Sequence, residues 1–128
     1  MLKLYIIIIT LTVSFSFSAI RVKLSDESER LRLVSGELHH LREDPESSIR
    51  SYLKSIGSYL GNENAHEFPL YFHKKGKNNM QHFTFQQIHK GFPVFGRYIR
   101  VHINDDMITS LSSNIDDVDL SIYPTITK

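Results

Sequence analysis

The stretch "FTFQQIHKGFPVFGRYIRVHIND", Phe83 to Asp105, constrains the fold more than any other part of the chain. Apolar residues occupy every second position at Phe83 and Phe85, and again at Ile99, Val101 and Ile103. His82, Thr84 and Gln86, then Tyr98, Arg100 and His102, fill the positions between. A period of two marks a strand with one buried face. The two runs are separated by "HKGFPVFG". Gly91 there permits a positive φ, and Pro93 cannot donate to a ladder, so a bend or a sheet edge is expected. The segment reads as strand, break and strand, with Phe83, Phe85, Ile99, Val101 and Ile103 on one side.

A sheet with one apolar face needs a second layer, and the chain supplies a helix. Asp44 can accept from an early helical amide, and Pro45 has its φ preset for the first helical position. Glu46 adds a negative charge where the helix dipole favours it. Ile49, Tyr52, Leu53, Ile56, Tyr59 and Leu60 recur at three- and four-residue spacing, and Gly61 is placed as a left-handed cap. Gly57 is expected on the polar side of this helix, weakening it slightly.

The remaining segments read as further strands. Phe68, Leu70 and Phe72 alternate as one apolar face, and "KKGKNN", Lys74 to Asn79, is a polar turn. Asn104 to Asp106 is a tight turn, followed by an alternating strand with Met107, Thr109 and Leu111 inward. "RLRLVSG" suits a strand ending near Gly36, and "GELHHLRED" an extended or looped segment. The expected fold class is α+β: one amphipathic helix packed on an antiparallel meander of three to four strands.

Length and composition fit one small domain with processed segments. The chain has 128 residues, 41% hydrophobic and 23% charged, in the ordinary globular range. Cysteine is absent, which excludes a disulfide scaffold and any thiolate metal site. Lys3 followed by "LYIIIITLTVSFSFSA" has the layout of a secretory signal peptide, with cleavage expected near Ser18 or Ala19. The apolar run is shorter than the ~20 residues a spanning helix wants, so no stable membrane association is expected once it is removed. Its removal would take away one base and leave acids and bases equal in number. Such a balance gives no electrostatic reason to expect nucleic acid as a partner.

Catalytic and metal motifs are missing. His66 and Glu67 begin a His-Glu-x-x-His pattern, but Leu70 stands where the second histidine is needed and Pro69 opposes a helix. His39 and His40 are adjacent, so in a strand they face opposite ways. His82 and His102 both point outward as candidate cross-strand neighbours, yet two ligands alone make a weak metal site. No Gly-x-Ser-x-Gly elbow and no glycine-rich phosphate loop occurs, so no enzyme, no metal and no cofactor is expected within this chain. Gln87 shares the parity of Phe83 and Phe85, and a buried amide needs partners. It either braces the "KGFPVFG" loop or belongs to an edge that meets another chain.

The residues Phe85, Gln86, Gln87, Gly91, Phe92, Pro93, Val94, Phe95, Gly96 and Arg97, with the continuation "VHIND" and "SLSSN", resemble the fungalysin/thermolysin propeptide domain in order and spacing. The lead-in "SGELHHLREDPESSIRSYLKSIGSYLG" is also similar, so the resemblance runs from Ser35 to Lys128. Three positions depart from the family pattern: His89 replaces a usual tyrosine, Asp105–Asp106 a usual Asp-Gly turn, and Ser113 a glycine before Asn114.

The resemblance implies a non-catalytic module in the pro-region of a secreted thermolysin- or fungalysin-like zinc metallopeptidase, acting as its intramolecular chaperone and inhibitor. It implies the protease catalytic domain and a second pro-domain as partners, in cis or in trans. "YPTITK" looks like the linker toward that second pro-domain. The expected organisation is a signal peptide over 1–19, a lead-in over 20–43, the propeptide-like domain over 44–115 and a linker over 116–128. A stand-alone secreted binding module, or a truncated remnant, is the alternative. Candidate contacts are the "KGFPVFGR" loop and the outward residues His82, Thr84, Gln86, Tyr98, Arg100 and His102. Phe92 and Phe95 are either anchors of an interface or part of the core.

Overall fold

The computed structural model describes residues 20–24, 29–42 and 44–117. The expected signal peptide over 1–19, and the linker from residue 118 onward, lie outside the described residues. Asp44 starts the helix as the local chemistry requires. Its carboxylate accepts from the Ser47 amide at 3.1 Å, and Pro45 is the first helical residue. Hydrogen bonds from the Ser47 side chain and amide hold the Asp44 carboxyl below its ordinary pKa. Helix α1 spans Pro45–Leu60 and ends on Gly61, whose φ of 85° is the left-handed cap.

The helix lies on a sheet of six strands, which makes the fold α+β. The strands are β1 (Arg21–Leu24), β2 (Leu31–His40), β3 (Leu70–Lys75), β4 (Met80–His89), β5 (Phe92–Asn104) and β6 (Met107–Ser113). Their order is β1-β2-β6-β5-β4-β3, and every pairing is antiparallel. Among the described residues the strands number six, not three or four, because β1 and β2 join through β6. That pairing links residues far apart in sequence, such as Val34 with Leu111, and no local pattern announces it.

The core lies between α1 and one face of the sheet. Ile49, Leu53 and Leu60 from the helix are buried with Val34, Phe83, Phe85, Ile99, Val101, Ile103, Ile108 and Leu111 from the strands. Tyr52 and Ile56 pack at its margin, but Tyr59 is exposed and drops out of the expected apolar stripe. Arg50 fastens the helix to the segment after it. Its guanidinium bonds the Glu46 carboxylate, donates to the carbonyls of His66 and Phe68 at 2.8 Å each, and lies 5.0 Å from the centre of the Phe85 ring.

Four other expectations change. Gly57 is buried, not on a solvated side, because the chain after the cap folds back over it. A Cβ there would stand 3.0 Å from the Asn62 carbonyl oxygen and 3.1 Å from the Glu63 Cα. Phe68 is buried but precedes β3, after a short 3-10 turn at Ala65–Glu67, while Leu70 and Phe72 are exposed on the edge strand. In β6 the inward residues are Ile108 and Leu111, not Met107 and Thr109. The pairs Ile103–Ile108 and His102–Ser110 leave Thr109 as an extra residue, and such a bulge shifts the phase of the strand. "GELHH" is extended, since β2 runs on past Gly36 to His40.

Candidate functional site: the hairpin arm and the uncovered sheet face

The central hairpin of β4 and β5 carries the residues singled out by sequence. Lys90 and Gly91 form its two-residue turn with φ values of 50° and 80°, closed by the His89–Phe92 pair. Two successive positive φ values suit the twist of a tight hairpin. The expected break is therefore a turn, and β5 continues through Pro93. Pro93 is tolerated because β6 pairs with β5 only from Ile99 onward, so β5 is an edge at that point.

The hairpin is irregular just beyond the turn. Between the pairs Gln86–Tyr98 and Ile88–Pro93, one residue of β4 stands against four of β5. The one is Gln87, and the four are Val94, Phe95, Gly96 and Arg97. Gly96 takes a φ of 76°, open to glycine for backbone reasons, since nothing lies within 4 Å of where a Cβ would be. The bulge and turn push aromatic surface outward. Phe92 is 75% exposed and Phe95 is 94% exposed, so neither belongs to the core.

One polar residue holds this arm in shape, and a second anchors the segment that follows β6. Asn114, just past β6, accepts from the Tyr98 amide at 2.7 Å and donates its side-chain amide to the Gly96 carbonyl at 2.8 Å. Its own backbone amide donates to the Tyr98 carbonyl at 3.1 Å, and Arg97 donates to the Asn114 carbonyl at 3.1 Å. Gln87 is buried, and it braces neither the loop nor a chain edge. Its amide nitrogen donates to the Asp116 carbonyl at 2.6 Å, and its oxygen accepts from the Asp116 amide at 3.1 Å. Gln87 thus pins the segment after β6, where Ile115 enters the core and Arg30 pairs with Asp116 and Asp117. Sequence reading missed Asn114 as the clamp, and its place straight after the strand in "SSNI" was the available signal.

The sheet face opposite the helix has no second layer among the described residues. Two rows of paired residues cross all six strands on it. One is Phe72, Thr84, Arg100, Ser112, Leu33 and Lys23; the other is Lys74, His82, His102, Ser110, Ser35 and Arg21. None of these twelve is buried. His82 and His102 face each other directly, with ring centres 4.5 Å apart and their Nδ1 atoms in hydrogen-bond contact. His39 stacks instead on Tyr52 at 5.6 Å. Among the described residues no three or more histidine or carboxylate side chains gather as a metal set, and no helix is long and apolar enough to cross a membrane.

The histidine pair gives the face a pH response. In the contact one Nδ1 donates and the other accepts, so protonating both would set two N–H groups against each other. Burial, then the neighbouring His82 and Arg100, lower the pKa of His102. Lys74 from β3 and Ser110 from β6 flank the pair, so no carboxylate in the row offsets the charge. A histidine with a lowered folded pKa takes up its proton more readily when unfolded. Its stabilising effect is complete above the unfolded value, about 6.5, and is lost as the pH falls through that value toward the folded one. Thermal denaturation should therefore show a lower Tm at pH 5.5 than at pH 7.5. His102→Gln should flatten that dependence, and an unchanged slope would contradict the pairing.

Residues 73–115 match the family described as Fungalysin/Thermolysin Propeptide Motif. The matched segment is a third of the chain and takes in the end of β3, the whole of β4, β5 and β6, and the Asn114 clamp. That family is described by a propeptide motif, not by a catalytic domain. No solved structure matches this chain. The hairpin, its bulged aromatic arm and the clamp that shapes it thus lie within the segment that is similar to the fungalysin/thermolysin propeptide motif.

Proposed function

We propose that this chain is a propeptide module of a secreted thermolysin- or fungalysin-like zinc metallopeptidase. It docks on the catalytic domain, in cis or in trans, assists its folding and holds it inactive. Secretion follows the signal-peptide layout of residues 1–19. The observation that carries the reading is the β4–β5 arm. A bulge fixed by four hydrogen bonds around Asn114 presents Phe92 and Phe95 to solvent inside the matched motif. Rigid exposed aromatics lose little freedom on binding and fill pockets on a partner, which is how a few residues come to dominate an interface. A module that binds the folded protease and not the unfolded chain stabilises it by mass action, by about 2.7 kcal/mol at one hundred times Kd.

The arm can be tested without disturbing the fold. Phe92→Ser and Phe95→Ser together should change stability by no more than about 1 kcal/mol, because both side chains are exposed. The same double variant should weaken inhibition of a purified secreted thermolysin-like metallopeptidase by about 30-fold or more, the loss of one strong anchor. Equal inhibition by the wild-type chain and the variant would remove the arm from the docking surface.

A further inference from the structure

The formal charge of the whole chain is only +1, but the two rows across the uncovered sheet face carry charge of one sign. Its two rows hold Arg21, Lys23, Lys74 and Arg100, together with His82 and His102, and no acidic residue. The nearest carboxylates along these strands stand outside the rows: Glu37 follows Ser35 on β2 where the pairing with β6 is interrupted, and Asp105 and Asp106 form the β5–β6 turn. Beside Arg100 lies an exposed aromatic cluster. Its guanidinium is 5.3 Å from the centre of the Tyr98 ring, Tyr71 packs on Tyr98 at 5.2 Å, and Tyr71 and Phe72 are both more than half exposed.

We infer that this face is a docking surface for an acidic patch on a folded protein partner. The inference rests on the reading that the chain docks on a protein, and it adds the chemistry of that partner's surface. Arginine and tyrosine are the residues enriched where interfaces hold most of their energy, and here they occur together and uncovered. Cations without intervening acids steer and orient a complementary negative surface and penalise a positive one. Their spacing selects the kind of partner. Lys74 and the Arg21–Lys23 pair lie on the two outermost strands, about 24 Å apart by the usual strand spacing, with Arg100 between them. Four cations so spread suit discrete carboxylates on a folded surface. A nucleic-acid duplex, with one charge per about 1.7 Å, would meet mostly serine, threonine and leucine here.

Poly-L-glutamate serves as the probe, with the full chain and no protease present, so this inference and the protease reading fail separately. The expected result is perturbation of backbone amide signals along the two rows and an affinity that falls between about 0.05 and 0.3 M salt. Lys74→Glu with Arg100→Glu should weaken binding by at least about tenfold. Both residues are exposed, and the Tm of the variant checks that it folds. Should that pair fail to fold, Arg21→Glu with Lys23→Glu makes the same test from the other edge. No binding, or binding that survives both charge reversals, overturns the inference. Tighter binding to vesicles of phosphatidylglycerol than to poly-L-glutamate also overturns it, in favour of a lipid surface.

Discussion

Replacing Phe85 by alanine is expected to cost about 3–5 kcal/mol of stability, the range for removing a fully buried aromatic. Phe85 has no exposed surface. It stands opposite Ile99, packs beside Phe83 with ring centres 6.5 Å apart, and lies under the Arg50 guanidinium. It joins the motif hairpin to the helix, so the cavity would open where the two layers meet and could not be filled by a local shift. A small domain has only about 5–15 kcal/mol in all, so this variant should be only marginally folded at room temperature. Urea denaturation would show it as a midpoint moved to much lower concentration with an unchanged slope. Phe72→Ala, on the exposed edge strand, is the control and should change stability by about 0.5 kcal/mol or less. Comparable losses from the two would contradict the assignment of the buried face.

Gln87→Leu carries the second large effect. The side chain is buried, and leucine keeps its bulk while deleting both hydrogen bonds to the Asp116 backbone. Leaving a donor and an acceptor without partners costs about 1–3 kcal/mol each, and the chain can avoid that cost only by peeling the segment into water. Peeling would expose Ile115 and release the Arg30 contacts with Asp116 and Asp117. The expected loss is about 2–3 kcal/mol. Amide exchange should separate the two routes, with fast exchange at Ile115 to Asp117 and little change in α1. Gln87→Glu, which keeps the acceptor but adds a charge in a buried place, should be no better tolerated.

What the sequence made legible follows from how local each signal is. Asp44, Pro45 and Gly61 mark the helix because capping involves neighbours within one turn. The alternation of Phe83 and Phe85, and of Ile99, Val101 and Ile103, is regular, and all five are buried as expected. The misreadings lie where one extra residue enters a strand. Tyr71 interrupts the β3–β4 register between Leu70 and Phe72, and Thr109 does the same in β6. A bulge reverses the parity of everything beyond it, yet leaves the alternating pattern intact to the eye. Gly57 was beyond local reasoning for another reason: the turn that covers it is placed by the fold-back at Asn62 and Glu63.

The candidate site divides in the same way. Gly91, Pro93 and Gly96 announce an irregular hairpin, and its place in the chain is read directly. Whether Phe92 and Phe95 point inward or outward depends on a bulge of four residues against one, which only the pairing reveals. The outward residues His82, Thr84, Arg100 and His102 follow from strand parity alone. Their continuation into Ser110, Ser112, Leu33, Ser35, Lys23 and Arg21 does not, because it needs β1 and β2 to be placed on the far side of β6. An overall charge near zero hides the basic face for the same reason, since charge balance over a chain is silent about how the fold segregates it.

The proposed function requires this chain to hold docking energy of its own for a thermolysin-like protease. The direct measurement is a titration of the full chain against an active secreted thermolysin-like metallopeptidase. Peptide hydrolysis and the intact mass of the chain would be followed together. The proposed function predicts a dose-dependent, saturable loss of activity while the chain is still uncut. Rapid digestion of the chain with full protease activity throughout would contradict it.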